Sequence, residues 1–200
     1  YTVRAYYGTS VSSYKSSGIS VKYLLTPKAT SIANKNGYIE LQWNKVSGAA
    51  SYYVYRKAGS EKSWTKVATV TKNSYTDKNV KSGTNYRYTI RAYGSKTQSG
   101  FNSTGWAIKY LATPTLVSAT STTTGIVVKW KPVTGATQYG IYRKTNGGLW
   151  ELVTKVNGNR TVSYKDKTAE MGIKYTYTVR AHNGNYKSWF NEGITVVDKY

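Results

Sequence analysis

The sequence predicts an all-β protein made of tandem seven-stranded antiparallel β-sandwiches. Matching segments recur at a spacing of 86 to 89 residues, which indicates repeated structural units. Within each unit, apolar and polar residues alternate over short segments, as expected for strands with one buried face. Turn signals such as NG, SG and GG separate these segments. Helical periodicity of useful length is missing from the sequence, and 168–174 is expected to form a turn around its Gly.

The repeat defines the expected domains. Segment 41–70 matches 128–156, so two complete units are present, and 1–27 matches 88–114, so the chain opens with the tail of another unit. A lone hairpin is only marginally stable in water, so this opening segment is expected to pack on the first complete module, to pair with another chain, or to be part of a longer array. The expected divisions are 1–23 as the last two strands of a truncated preceding module, 24–110 as one module and 111–200 as another.

Alternation also predicts which residues face each core. In the first module Ile39, Leu41 and Trp43 fall on one face of a strand, and the second module repeats this pattern around Trp130. We therefore expect two separate hydrophobic cores, each closed around one Trp. Further inward residues are expected at Tyr52, Val54, Tyr86, Tyr88, Ile90 and Ala92, and at their counterparts Tyr139, Ile141, Tyr175, Tyr177, Val179 and Ala181.

The two modules are joined without a long linker. Pro27 and Pro114 stand at the entry to the first strand of each module, where a fixed φ and a missing N–H suit an edge strand. Such short joints predict a semi-rigid, extended rod.

Each unit resembles a fibronectin type III module. The resemblance rests on four features that recur in the same order: an early Trp, a Tyr-x-Val/Ile-Tyr strand, a second Trp, and a Tyr at the position of a tyrosine corner. It is closest to the Tyr- and Lys-rich repeats of long surface or secreted proteins of Gram-positive gut bacteria, and it implies an extracellular location. Without an RGD tripeptide, attachment to integrins through that motif is not supported. The residues are Trp43 and Trp130, Tyr52–Tyr55 and Tyr139–Tyr142, Trp64 and Trp150, and Tyr86 and Tyr175.

The inventory of reactive side chains argues against an enzyme. With one His, no Cys and eight carboxylates, no convergent catalytic or metal-binding set is apparent, and no metal or cofactor is expected. His182 is expected to be a tolerated surface or strand-end residue. Asp77 and Asp166 recur before the same turn and are expected to cap its backbone.

The net charge of +21 should attract anionic polymers. Teichoic acid and acidic glycans are candidate partners, while the alternative is a Lys-rich surface that only confers solubility. Nucleic acid is disfavoured because the charge is spread over many strands and no nucleic-acid-binding fold is apparent. Membrane insertion is not expected, since no run of 18 apolar residues occurs. Self-association through the partial N-terminal module is a further possibility, because exposed sheet edges accept strands.

Exposed aromatic residues beside cations are the candidate binding surface. Outward-facing Tyr and Arg of neighbouring strands would stabilise the sheet by stacking, or would form a platform for a host or cell-wall glycan or protein. Loop aromatics such as Phe101 and Phe190 would either plug the end of the sandwich or contact a ligand. The candidate ligand-binding residues are Tyr55, Arg91, Trp106, Tyr142, Arg180, Tyr186 and Trp189.

These observations predict a non-catalytic segment of an extracellular bacterial surface or secreted protein that acts as a semi-rigid spacer and adhesion or binding module. The alternative is a pair of accessory modules that bind carbohydrate or cell-wall polymer within a larger secreted hydrolase.

Overall fold

The structure is a computed structural model that describes residues 1–20 and 23–200. Residues 1–20 contain a short antiparallel hairpin of β1 (Tyr6–Tyr7) and β2 (Ser10–Val11). Residues 1–17 are all exposed, so none of them is buried against the first complete module.

The first complete module consists of two antiparallel sheets. One sheet has the order β3-β4-β7 and the other β6-β5-β8-β9. The strands are β3 (Ala29–Lys35), β4 (Tyr38–Trp43), β5 (Ser51–Ala58), β6 (Thr65–Val70), β7 (Ser74–Asp77), β8 (Asn85–Tyr93) and β9 (Trp106–Lys109).

The second module repeats this order. Its sheets are β10-β11-β14 and β13-β12-β15, and both β16 and β17 pair with β15. The strands are β10 (Leu116–Thr122), β11 (Gly125–Trp130), β12 (Gln138–Thr145), β13 (Glu151–Asn157), β14 (Ser163–Asp166), β15 (Lys174–Asn183), β16 (Tyr186–Lys187) and β17 (Ile194–Val197). The expected tandem of seven-stranded sandwiches is confirmed, with β16 as a two-residue addition.

Each module has its own core between its two sheets. Trp43 is fully buried and Trp130 is 2% exposed, and they belong to two different clusters. Each indole contacts the ring of an inward Tyr. The ring centres of Trp43 and Tyr52 are 5.4 Å apart, and so are those of Trp130 and Tyr139. Burying one large aromatic side chain removes about 150–250 Å² from water and contributes about 4–6 kcal/mol. The inward-facing residues predicted from alternation are therefore confirmed as the cores.

Each module also contains one buried ion pair. Asp77 accepts hydrogen bonds from Asn79 N–H at 3.0 Å, from Arg56 at 2.8 Å and from the Tyr88 hydroxyl at 2.7 Å. The first of these bonds confirms the expected cap. The Arg and Tyr contacts tie the end of β7 to the facing sheet, because Asp77 ends β7 in one sheet whereas Arg56 lies on β5 and Tyr88 on β8 of the other.

The second module has the same network around Asp166. Its carboxylate accepts hydrogen bonds from Thr168 N–H at 2.9 Å, from Arg143 at 2.8 Å and from the Tyr177 hydroxyl at 2.7 Å. Burial alone would raise the pKa of the Asp166 carboxyl, but the bonds from Tyr177 and Thr168 and the charge of Arg143 outweigh it and lower that pKa. The tyrosine corner is also present, since the Tyr175 hydroxyl accepts a hydrogen bond from Glu170 N–H at 3.2 Å.

The outward face of β8 and β15 is more covered than strand alternation indicates. Thr89 and Thr178 are fully buried and Arg180 is only 7% exposed. The cause in the second module is the loop after β15, which folds back so that Phe190 covers Arg180 at 4.2 Å. Arg180, which the sequence placed on an exposed outward face, is therefore covered.

The modules meet end to end through turns and loops. The Ser82 hydroxyl donates to Thr134 O at 2.8 Å and accepts from Ala112 N–H at 3.0 Å, so it bonds the facing module and the linker. Asn34 Nδ2 donates to Lys109 O at 2.9 Å and to Lys187 O at 3.2 Å. The bond to Lys109 lies within the first module, at the end of β9, and the bond to Lys187 crosses the joint to β16.

Two glycines allow the backbones to approach at this joint. Gly83 and Gly135 both have φ of +84°. A Cβ added at Gly135 would lie 2.2 Å from the Gly83 Cα, closer than any side chain tolerates. Beside them, Tyr186 packs against both hydrophobic cores. The joint is thus a packed contact between the two modules.

Candidate ligand-binding surface

Four side chains come together on the outward face of the larger sheet in each module. In the first module they are Tyr55 of β5, Trp64 just before β6, Arg91 of β8 and Phe101 of the following loop. We call this set the first aromatic box. Strands β5 and β8 are paired, with Tyr55 opposite Thr89 and Tyr53 opposite Arg91, which places Tyr55 and Arg91 on the same face.

The second aromatic box consists of Tyr142, Trp150, Arg180 and Phe190, and its side chains are tightly packed. The Phe190 ring is stacked on Trp150 at 6.1 Å and meets Tyr142 edge-on at 5.5 Å. Arg180 donates two hydrogen bonds to Ser188 O, at 2.8 Å from Nε and 2.7 Å from Nη2. Burial lowers the pKa of Arg180. All four side chains are used in internal contacts, so this box is structural.

The first aromatic box is open. Its four residues line a cleft of about 190 Å³. The Arg91 guanidinium lies 4.7 Å from the centre of the Phe101 ring, and Phe101 is 38% exposed. Within the described part of the chain, Arg91 donates no hydrogen bond comparable to the two of Arg180, and no ring of this box stacks on another. The N–H groups of Arg91 and the parts of the aromatic rings that face the cleft are therefore available to a ligand.

The positive charge continues along the same face of the first module. Lys57 Nζ lies 4.7 Å from the Trp64 ring centre, and Lys66 Nζ lies 4.2 Å from that of Tyr53. Tyr53 in turn stacks on Tyr93 with ring centres 3.8 Å apart. The result is a strip of aromatic rings covered by cations.

The second module repeats one contact of this strip, with Lys144 Nζ at 4.9 Å from the Trp150 ring centre. It lacks the rest because Gly140 and His182 stand where the first module has Tyr53 and Tyr93. A Cβ at Gly140 would lie 3.0 Å from His182 Nε2, so the imidazole lies over the glycine. His182 is only 9% exposed, and its Nε2 has no hydrogen-bond partner among the described residues. His182 is the second-to-last residue of β15, as expected for a strand-end residue, but its ring is buried because the missing side chain at position 140 leaves room for it against the sheet.

Acidification is expected to destabilise the second module through His182. Burial, with the nearby charges of Lys155, Arg180 and Lys187, lowers the pKa of His182 from 6.5 to about 4. Between about pH 6.5 and about pH 4, His182 is protonated in the unfolded chain but neutral in the folded chain. The free energy of unfolding therefore falls as the pH drops through this range, by at most about 3 kcal/mol. Urea denaturation across this range measures the effect. In the His182→Gln variant the free energy of unfolding should depend less steeply on pH. Equal slopes for the variant and the original protein would contradict the prediction.

The structure places the sequence-derived candidates in four locations. Tyr55 and Arg91 line the first aromatic box, and Tyr142 and Arg180 belong to the packed second box. Trp106 is half-buried and packs on the first core. Tyr186 and Trp189 lie at the joint, where Lys35 Nζ is 4.1 Å from the Trp189 ring centre. Trp189 also borders an open groove of about 730 Å³ between Asn36 and the loop 189–194.

Trp64 completes the first box but was not among the sequence-derived candidates. Phe101, for which the sequence left a plug and a ligand contact as alternatives, also lines the box. The signal that could have favoured Phe101 is the repeated pairing of a strand Arg with a loop aromatic. The same pairing occurs in the opening segment, where the Arg4 guanidinium lies 4.4 Å from the centre of the Tyr14 ring. Recurrence at matching positions indicates that each Arg–aromatic contact is built into the repeat.

In the described residues, no three His, Cys, Asp or Glu side chains are grouped so that they could hold a metal ion. The part of the chain that the structure describes contains no helix with the length and apolarity needed to cross a membrane.

Comparisons with known proteins give two curated relatives. Exoglucanase B of Cellulomonas fimi is 28% identical over 212 residues, covering 90% of this chain and 18% of that protein. Fibronectin type III domain-containing protein 7 of Mus musculus is 28% identical over 148 residues, covering 74% of this chain and 19% of that protein. The chain therefore spans about a fifth of the length of each relative. No protein-family model matches the chain.

Among solved structures, a two-module fibronectin type III segment of chicken tenascin matches with a TM-score of 0.45 at 18% identity, covering 90% of this chain and 100% of that one. Three fibronectin modules of chicken contactin 1 match with a TM-score of 0.41 at 22% identity, covering 88% of this chain and 66% of that one.

Proposed function

Because the chain consists of two tandem fibronectin type III-like sandwiches in direct contact, we propose that it is a non-catalytic segment of an extracellular bacterial surface or secreted protein. In this role it serves as a semi-rigid spacer and as a binding module. The observation that carries the proposal is the joint, where Gly83 and Gly135 touch and Ser82 bonds Thr134. A contact without room for a side chain restricts bending between modules and keeps the surfaces that they carry at a set separation.

The spacer role is tested by residual dipolar couplings of the whole chain in a weakly aligning medium. We expect the couplings of residues 24–110 and 111–200 to fit one common alignment tensor, because the joint holds the modules as one body. Two tensors of different magnitude would show independent reorientation and would contradict the spacer role.

A second candidate function is that of accessory modules in a larger secreted hydrolase, where they would bind carbohydrate or cell-wall polymer. The likeness to an exoglucanase over 90% of this chain favours it. In this role a catalytic domain elsewhere in the parent protein carries out the hydrolysis. This chain separates that domain from its neighbours and binds the polymer. Both candidate functions need a surface that recognises a ligand.

A further inference from the structure

We propose that the first aromatic box binds a carboxylated sugar ring, as in a uronic acid residue of an acidic polysaccharide. In this complex Arg91 pairs with the carboxylate, while Tyr55, Trp64 and Phe101 pack against the ring. The inference rests on the binding role proposed above and names the ligand class for it.

The first argument is the availability of Arg91. In the second box, Ser188 O accepts two hydrogen bonds from Arg180 and so uses its guanidinium. Ser99 stands at the corresponding position in the first module, and its hydroxyl is bonded as that of Ser188 is. Among the described residues, however, no hydrogen bond joins Arg91 to the backbone O of Ser99 or to any other atom of this loop. The Arg91 guanidinium lies over the Phe101 ring and donates no hydrogen bond within the described residues, so its fork of N–H groups can pair with a planar oxyanion.

The second argument is the size and lining of the cleft. Its volume of about 190 Å³ is below the roughly 300–1,000 Å³ of pockets that enclose a whole small molecule, so it suits one ring of a longer chain. Three of its four lining residues are aromatic and the fourth is cationic. The Trp64 indole is held in place by Gly105, where an added Cβ would lie 2.5 Å from the ring.

The third argument is the placement of charge. In a uronic acid the carboxylate is bonded directly to the sugar ring, so a sugar ring packed on the aromatic lining of the cleft can bring its carboxylate to Arg91, which borders the same cleft. A phosphodiester polymer carries its charge on a flexible linkage outside any ring. Lys57 and Lys66, on either side of the box, would meet the carboxylates of neighbouring sugar residues.

The test is a titration of the whole chain with trigalacturonate, followed through the Trp indole N–H signals in ¹H–¹⁵N spectra. We expect the Trp64 signal to shift and saturate. Arg91→Lys keeps the charge but removes the fork of donors, and should weaken binding about tenfold. The matched control Arg180→Lys, in the packed box, should leave the affinity for trigalacturonate unchanged. Phe101→Ala should also weaken binding, and the dispersion of the spectra verifies that each variant is folded.

Three results would overturn the proposal. Equal shifts with a neutral trisaccharide would show stacking without recognition of the carboxylate. Equal or stronger binding of a glycerol-phosphate oligomer would show a phosphate ligand. Small shifts spread over all lysine-rich surfaces, with Trp64 unmoved, would show only general attraction to polyanions. None of these changes the dipolar couplings, so failure of this inference is distinguishable from failure of the spacer role.

Discussion

Asp166→Ala is expected to destabilise the second module by about 3–5 kcal/mol while the first module stays folded. Asp166 is fully buried, and its carboxylate is the shared acceptor for Arg143 and Tyr177. Removing it leaves a guanidinium and a phenol without their acceptor in a partly buried site, which costs more than the ion pair itself contributes. A single domain has only about 5–15 kcal/mol of stability in total, so the loss is a large part of it.

Differential scanning calorimetry with ¹H–¹⁵N spectra measures this effect. The transition of the second module should move down by more than about 10 °C, given that 1 kcal/mol corresponds to about 4–8 °C for a domain of this size. Asp77→Ala should instead lower the transition of the first module and leave that of the second unchanged, because Asp77 holds the same network in the first module. Glu40→Ala is the control: its pair with Lys35, at 3.6 Å, is partly exposed and should contribute less than about 1 kcal/mol. An equal loss in both modules after Asp166→Ala would refute the assignment of one network to each core.

Gly135→Ala is expected to separate the two modules. The new Cβ would overlap the Gly83 Cα, so the facing turns must move apart and the Ser82–Thr134 hydrogen bond must stretch or break. The substitution also forces Ala into a backbone with φ of +84°, which costs about 1–2 kcal/mol by itself. This strain must be distinguished from the effect on the joint.

Gly172→Ala supplies that control. Gly172 occupies the position in the second module that Gly83 has in the first, with φ of +79° and nothing within 4 Å of an added Cβ. Both variants carry backbone strain, but only Gly135→Ala alters the joint. Residual dipolar couplings of Gly135→Ala should require two alignment tensors, whereas Gly172→Ala should keep one. A single tensor for both variants would mean that the joint does not depend on this close approach.

Much of the fold could be predicted from the sequence because it depends on local alternation and on repetition. Trp43, Tyr88 and Val179 lie inside, as their place in the alternating pattern indicates. Asp77 caps its turn because the cap needs only neighbouring residues. These features are set within a strand or a turn, and the repeat shows each of them twice.

The features that were missed depend on residues distant in sequence. Thr178 is buried because a loop returns over its sheet, and alternation within a strand carries no information about that loop. His182 is buried because Gly140, on the paired strand, provides space. The difference between the two aromatic boxes comes from loop conformation, since Arg180 reaches Ser188 O while Arg91 makes no equivalent bond in the described structure.

The hydrogen bonds at the joint make the order of the modules matter. Ser82 and Asn34 supply them from the first module, and the repeat places Met171 and Ser121 at the corresponding positions of the second. Met171 has no hydroxyl, and the Ser121 hydroxyl already donates to Asp198 at 2.6 Å. A permuted protein with the modules exchanged would therefore not rebuild the same junction, and the two units are not interchangeable building blocks despite their common architecture.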